Sequence, residues 1–150
     1  MKYSEKIAEK LNHLLEKNYD TEKGYRFAAE KVEDPGLKSF FVERAMERYD
    51  FGHELKTEIR QFGTSPEEGS SFEADIMRSW MNLKSHLTSN KEESILEEVA
   101  RGEKAAVEEY NEVLKDTNLP ASTANVLMKQ RNSITAALNR VKSMELKESR

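Results

Sequence analysis

Residues 37–62, LKSFFVERAMERYDFGHELKTEIRQF, decide the fold of this 150-residue chain. Arg44 and Arg48 fall in the middle of an apolar stripe that recurs there at helical spacing. Because a guanidinium facing a bundle core is costly unless it is paired, the sequence predicts carboxylate partners on neighbouring helices. The stripe consists of Leu37, Phe41, Phe51, Leu55, Ile59 and Phe62.

The composition favours long, well-solvated helices. Hydrophobic residues make up 37% of the chain and charged residues 35%, which suits narrow core-facing stripes better than a buried sheet. A net charge of −4 with interspersed signs offers no basic patch for nucleic acid, and the absence of cysteine excludes thiolate metal ligands and cysteine nucleophiles. With no apolar leader or membrane-length run, we expect a soluble, cytoplasmic protein that binds neither nucleic acid nor membranes.

Helical periodicity also covers most of the remaining chain. A first helix is predicted from about residue 4 to 32, and Asp34 and Pro35 then suit the N-cap and first turn of the second helix. A shorter helix is predicted within about residues 72–87. Two further long helices are predicted, one ending near Asp116 and one following Pro120.

The connections between these helices predict how they pack. Short turns join the first two long helices and the last two, whereas residues 64–90 form a connection long enough to cross a bundle. We therefore predict one all-α domain over residues 1–150, a ferritin-like four-helix bundle with a short crossover helix between the second and third long helices. Trp80 would hold the crossover helix against the bundle. An up-down bundle with an inserted helix is the alternative.

Polar residues on the inward faces are predicted to share a layer near the middle of the bundle. In this layer Glu22 and Glu103 would pair with Arg44 and Arg48, while hydroxyl and amide groups would satisfy the remaining donors and acceptors. The predicted layer consists of Asn18, Glu22, Tyr25, Arg44, Arg48, Glu103, Tyr110 and Gln130.

A metal site is the main alternative to this layer. Ferritin-like di-iron bundles use inward Glu residues and Glu-x-x-His pairs. Asp50 and His53 lie off the apolar stripe, and the last helix has no inward Asp, Glu or His, so the primary prediction contains no cofactor and no catalytic residue. His13 and His86 are expected to be ordinary surface or boundary residues. If iron or manganese does bind, its ligands would be Glu22, Glu47, His53 and Glu103.

Four sequence motifs support a family resemblance: EKGYRFAA at 22–29, FVER at 41–44 followed by Arg48, WMNLK at 80–84, and ILEEVARGE at 95–103. Through them the chain resembles, over nearly its whole length, a bacterial family of ferritin-like four-helix-bundle proteins of unassigned function. The resemblance implies a ferritin-like fold and a stress-associated role, without an established activity. Lys23 replaces an acidic residue of the family pattern and Leu138 replaces a common histidine, and both changes disfavour metal chemistry.

Three functions follow from these patterns. The leading prediction is a non-enzymatic interaction or stress-response module with an Arg–Glu layer in place of a di-metal site. The alternatives are an iron- or manganese-dependent oxidase or storage protein, and a small-molecule binding bundle that uses Tyr25, Tyr110 and Trp80. Partner identity is left unknown.

Oligomeric state is left open as well. Tyr3, Phe27 and Met46 lie off the apolar stripes and could serve self-association, which would make the chain a homo-oligomer.

Overall fold

The computed structural model describes residues 3–66 and 91–148. These ranges form four α-helices and no strand: α1 (Tyr3–Lys31), α2 (Pro35–Gln61), α3 (Lys91–Leu114) and α4 (Ala121–Glu148). Over the described residues the prediction of an all-α fold with four long helices is confirmed, with helix ends within a few residues of those expected. The predicted helix at 72–87, including Trp80 and His86, lies outside the described residues. None of the four helices combines the length and apolar run that crossing a bilayer requires.

The turn between α1 and α2 is built from capping interactions. The Asp34 side chain accepts a hydrogen bond of 2.8 Å from the Leu37 backbone N–H, and Pro35 occupies the first helical position, as the sequence predicted. Glu92 at the start of α3 accepts from the backbone N–H groups of Glu33 and Asp34 at 2.9 and 3.0 Å. The start of α3 is therefore fixed beside the α1–α2 turn.

Contacts at both ends of the helices define their directions. The side chain of Tyr3 bonds to Asp116, whereas Glu33, just after α1, bonds to Glu92, so α1 and α3 are antiparallel. Near the opposite ends of α2 and α4, Thr123 bonds to Glu58 and the Arg140 guanidinium lies over the Phe40 ring, so these helices are also antiparallel. Consequently α2 ends where α4 begins, and α3 begins at the other end of the bundle.

Two apolar clusters fill the interior. One surrounds Phe41 and Val141 near the α1–α2 turn, and the other surrounds Leu11 and Leu127 towards the opposite end. Between them the inward positions of α1, α2 and α3 are taken by Asn18, Arg48 and Glu103. The bundle core is therefore divided by a polar layer, which positions the candidate site.

Candidate functional site

The centre of the polar layer is an ion pair between α2 and α3. Arg48 and Glu103 are only 2% and 3% exposed. Nη1 of Arg48 donates to Oε1 and Oε2 of Glu103 at 3.0 and 3.3 Å, and Nε donates to Oδ1 of Asn18 at 2.6 Å. The long arginine side chain thus carries its charge from α2 to a carboxylate on α3.

Two side chains of α1 complete the surroundings of this pair. The Tyr25 hydroxyl donates to Oε2 of Glu103 at 2.7 Å, so the carboxylate receives bonds from two different helices. Asn18 accepts from Arg48 through its oxygen and donates through Nδ2 to the Leu14 carbonyl at 2.8 Å and to the Tyr110 hydroxyl at 2.9 Å. Both ends of the Asn18 amide are therefore used.

Tyr110 and Gln130 extend the network to the fourth helix. The Tyr110 hydroxyl on α3 donates to Oε1 of Gln130 on α4 at 2.7 Å. Nε2 of Gln130 in turn donates to the Phe51 carbonyl at 3.2 Å and to Oε1 of Glu54 at 3.1 Å, both on α2. One continuous set of hydrogen bonds consequently connects all four helices.

The electrostatics of the layer favour the charged form of Arg48 and the neutral forms of Tyr25 and Tyr110. Burial is the largest single influence on Arg48 and opposes its charge, but Glu103, Tyr110, Tyr25 and Glu47 together outweigh burial and raise the pKa of Arg48 above its ordinary value. Burial, reinforced by the charge on Glu103, raises the pKa of Tyr25 well above its usual range. Burial raises the pKa of Tyr110 to about 12, although Arg48 acts in the opposite direction. Both hydroxyls therefore remain hydrogen-bond donors at neutral pH.

The structure places two of the residues predicted for the layer, Glu22 and Arg44, outside this network. The Arg44 side chain is 20% exposed, bonds to Glu47 on its own helix at 3.1 Å and lies beside the Phe40 ring. Glu22 bonds to Arg26 on α1 at 2.9 Å. Four helical residues turn through about 400°, so Arg44 is rotated roughly 40° from Arg48. The layer was expected to contain two arginines paired with two glutamates. The structure places one buried pair there, Arg48 with Glu103.

The residues named as alternative metal ligands do not converge. Glu47 is paired with Arg44, Glu22 with Arg26 and Glu103 with Arg48. The ring of His53 is exposed and packs edge-on against Tyr49, with 4.6 Å between ring centres. Over residues 3–66 and 91–148, no three His, Cys, Asp or Glu side chains are grouped so that they could hold a metal ion.

The sequence did not lead to the prediction of a further buried carboxylate, Glu58. Glu58 near the end of α2 is 5% exposed and accepts hydrogen bonds from the hydroxyls of Ser122 and Thr123, at 2.9 and 2.8 Å. These residues form the first turn of α4. The available signal was the position of Glu58 three residues after Leu55, on the apolar face of α2, where a carboxylate requires donors from another helix.

The residues considered for self-association differ in exposure. Tyr3 and Met46 are 43% and 56% exposed, and Val42 and Tyr49 lie near Met46 on the outer face of α2 at 40% and 46%. Phe27 is partly buried and packs against the apolar cluster near the α1–α2 turn.

A known protein family matches most of the chain. A family model described as "Domain of unknown function (DUF2383)" matches residues 6–116. The matched range contains Asn18, Tyr25, Arg48, Glu103 and Tyr110, and Gln130 lies beyond it. No curated protein matches the chain.

Proposed function

The chain belongs to the DUF2383 family, whose function is unknown, and we propose that it is a non-enzymatic, ferritin-like helical bundle of bacterial origin. In this proposal the Arg48–Glu103 layer takes the place of a di-metal site, and the protein acts as a stress-associated or interaction module. The motifs at 22–29 and 95–103 support the ferritin-like assignment by resemblance, and they contribute Tyr25 and Glu103 to the layer.

The directions of the helices support a ferritin-like topology. Because α2 begins at the α1–α2 turn and the start of α3 is bonded to the same turn through Glu92, α2 and α3 run the same way, and the chain between them has to connect opposite ends of the bundle. A crossover connection of this kind distinguishes ferritin-like bundles from simple up-down bundles. Consecutive helices in an up-down bundle would be antiparallel throughout.

The observation that carries the proposal is how the two oxygens of Glu103 are used. Both lie within 3.3 Å of Nη1 of Arg48, and Oε2 also accepts from Tyr25. A guanidinium at this distance repels a divalent cation and competes for the lone pairs that a metal would need. We therefore infer that Glu103 works as the partner of Arg48 and is not a metal ligand.

Elemental analysis tests this proposal directly. The wild-type protein is purified without chelator from cells supplied with iron and manganese, and metal per chain is measured by mass spectrometry. We expect far less than one metal ion per chain. The Glu103→Ala variant and the exposed-site control Glu43→Ala should contain the same trace amount as the wild type. Stoichiometric iron or manganese that is lost in Glu103→Ala and retained in Glu43→Ala would overturn the proposal in favour of a metal oxidase or storage protein.

A further inference from the structure

A cavity of about 150 Å³ opens between α1 and α3, beside the Tyr25–Glu103 hydrogen bond. Asp20, Thr21 and Tyr25 line it from α1, and Glu98, Val99 and Glu103 line it from α3. A protein cavity of roughly this volume holds a molecule of about six non-hydrogen atoms, such as benzene.

Two glycines, Gly24 and Gly102, face this cavity from opposite helices. A glycine inside a helix is unfavourable relative to alanine because it loses more backbone freedom on folding. A Cβ added at Gly102 would meet no atom within 4 Å, so no neighbouring group requires the missing side chain. The absence of a side chain at Gly102 leaves the cavity open, and packing against neighbouring residues gives no other reason for a glycine at this position.

The chemistry of the cavity wall selects the kind of ligand. Its polar side chains are carboxylates and hydroxyls, with no Lys, Arg or His among the described lining residues. The oxygens of Glu103 and Glu98 already accept from Arg48 and Arg101, which are not part of the lining. The other carboxylate of the wall, on Asp20, and the hydroxyl of Thr21 belong to α1. The Tyr25 ring and Val99 add apolar surface. The wall therefore offers acceptors and apolar contact to a small molecule that brings N–H donors and a short hydrocarbon body.

We propose that this cavity binds a small aliphatic amine in its ammonium form. The ammonium group would donate to the Asp20 carboxylate and the Thr21 hydroxyl on α1, away from the Arg48-paired Glu103, and the alkyl chain would pack between the Tyr25 ring and Val99. This binding site goes beyond the proposed non-enzymatic role and does not require it.

The probe is n-butylammonium, titrated into the full-length protein at constant ionic strength while backbone amide signals are followed by NMR. We expect saturable shifts of the Gly24 and Gly102 amides, and much weaker binding of uncharged n-butanol. Gly102→Leu should raise the dissociation constant at least about tenfold because it fills the cavity. Ala105→Leu, a matched change at an exposed site on α3 outside the cavity lining, should alter it less than about twofold.

The proposal is overturned by any of three results: no saturable shift at the two glycines, equal binding of n-butylammonium to both leucine variants, or equal binding of n-butanol. Circular dichroism checks that both variants fold. If Gly102→Leu does not fold, Gly102→Val provides the same comparison with a smaller side chain, and unchanged affinity in that variant overturns the proposal.

Discussion

Arg48 is the residue on which the polar layer depends most. Its guanidinium bonds to Asn18 on α1 and Glu103 on α3 from a position on α2, and the planar fork of donors allows both bonds at once. Lysine, with one ammonium nitrogen, would not reproduce this geometry. Removing Arg48 would leave the Glu103 charge buried without its cationic partner.

We predict that Arg48→Ala lowers the free energy of unfolding by about 3–5 kcal/mol, the usual result of breaking a buried ion pair. Arg44→Ala is the control because its pair with Glu47 is partly exposed, and it should cost about 1 kcal/mol or less. Urea denaturation of both variants measures the difference. Equal losses for the two arginines would contradict the assigned roles.

A double variant separates the cost of an unpaired charge from the value of the pair. In Arg48→Met/Glu103→Leu both charges are replaced by apolar side chains of similar length. We expect this double variant to unfold with a higher free energy than Arg48→Ala, since no charge remains buried without a partner. Urea denaturation of the two variants under the same conditions tests this expectation. A double variant that is less stable than Arg48→Ala would show that the ion pair itself stabilises the bundle.

The raised pKa of Tyr110 predicts that the protein loses stability at alkaline pH. Its pKa is about 12 in the folded protein against an ordinary 10, so the folded state holds the phenol proton more tightly than the unfolded state. The resulting stabilisation is complete below pH 10 and is lost as the pH rises towards 12. In Tyr110→Phe the decline over this range should be shallower, as measured by urea denaturation at several pH values. An identical decline in both proteins would assign it to other groups.

At this scale the sequence is informative only to within part of a helical turn. Periodicity is sufficient to place Arg48 and Glu103 on inward faces, because both lie between apolar residues one turn away on either side. It cannot separate Arg44 from Arg48, since a rotation of roughly 40° decides which one is buried and that rotation depends on tertiary packing. The burial of Glu58 could not be predicted for a similar reason, because the hydroxyls that donate to its carboxylate belong to α4.

Among the helices, α2 has the most clearly encoded start. Asp34 and Pro35 supply the N-cap acceptor and the fixed backbone angle, and both are recognisable in the sequence. We predict that Asp34→Ala destabilises the protein by about 1 kcal/mol, the typical cost of losing an N-cap. Thermal unfolding measures this loss, and Asp34→Ser, which retains a capping oxygen, should recover most of it. No recovery by serine would mean that Asp34 acts through something other than the cap.

Helix α3 is predicted to gain stability from a single methyl group. Gly102→Ala should raise the free energy of unfolding by roughly 0.5–1 kcal/mol, because alanine is the better helix former and its Cβ meets no neighbour. Thermal unfolding of this variant is the measurement. A destabilised Gly102→Ala would show that packing does require glycine here, which would also remove the reason for linking Gly102 to a ligand.

For the whole molecule, the proposed crossover predicts a minimum length for the chain between α2 and α3. With 24 residues, α3 is about 36 Å long. Replacing residues 64–90 by about four Gly and Ser residues leaves a connection that spans at most roughly 22 Å. This variant should unfold with a lower free energy than one carrying a Gly-Ser linker of the original length. Equal stability of the two would contradict the crossover.

The four helices and their approximate ends could be predicted from periodicity, caps and turn residues, because those signals are local. Which helices are neighbours follows from side chains that meet across the bundle, such as Asn18 with Tyr110 and Glu58 with Thr123. No local pattern encodes such a meeting. The cavity beside Tyr25 depends in the same way on how α1 and α3 lie against each other.

The hydrogen bonds that pass through all four helices also fix the alignment of those helices along the bundle axis. Apolar side chains tolerate sliding, since one leucine contact can replace another after a shift of one turn. The bonds among Asn18, Arg48 and Glu103 do not tolerate such a shift. Sliding one helix by a single turn, about 5.4 Å, would place the Glu103 carboxylate among apolar side chains without its partners. The layer therefore permits only one alignment of the four helices along the bundle axis.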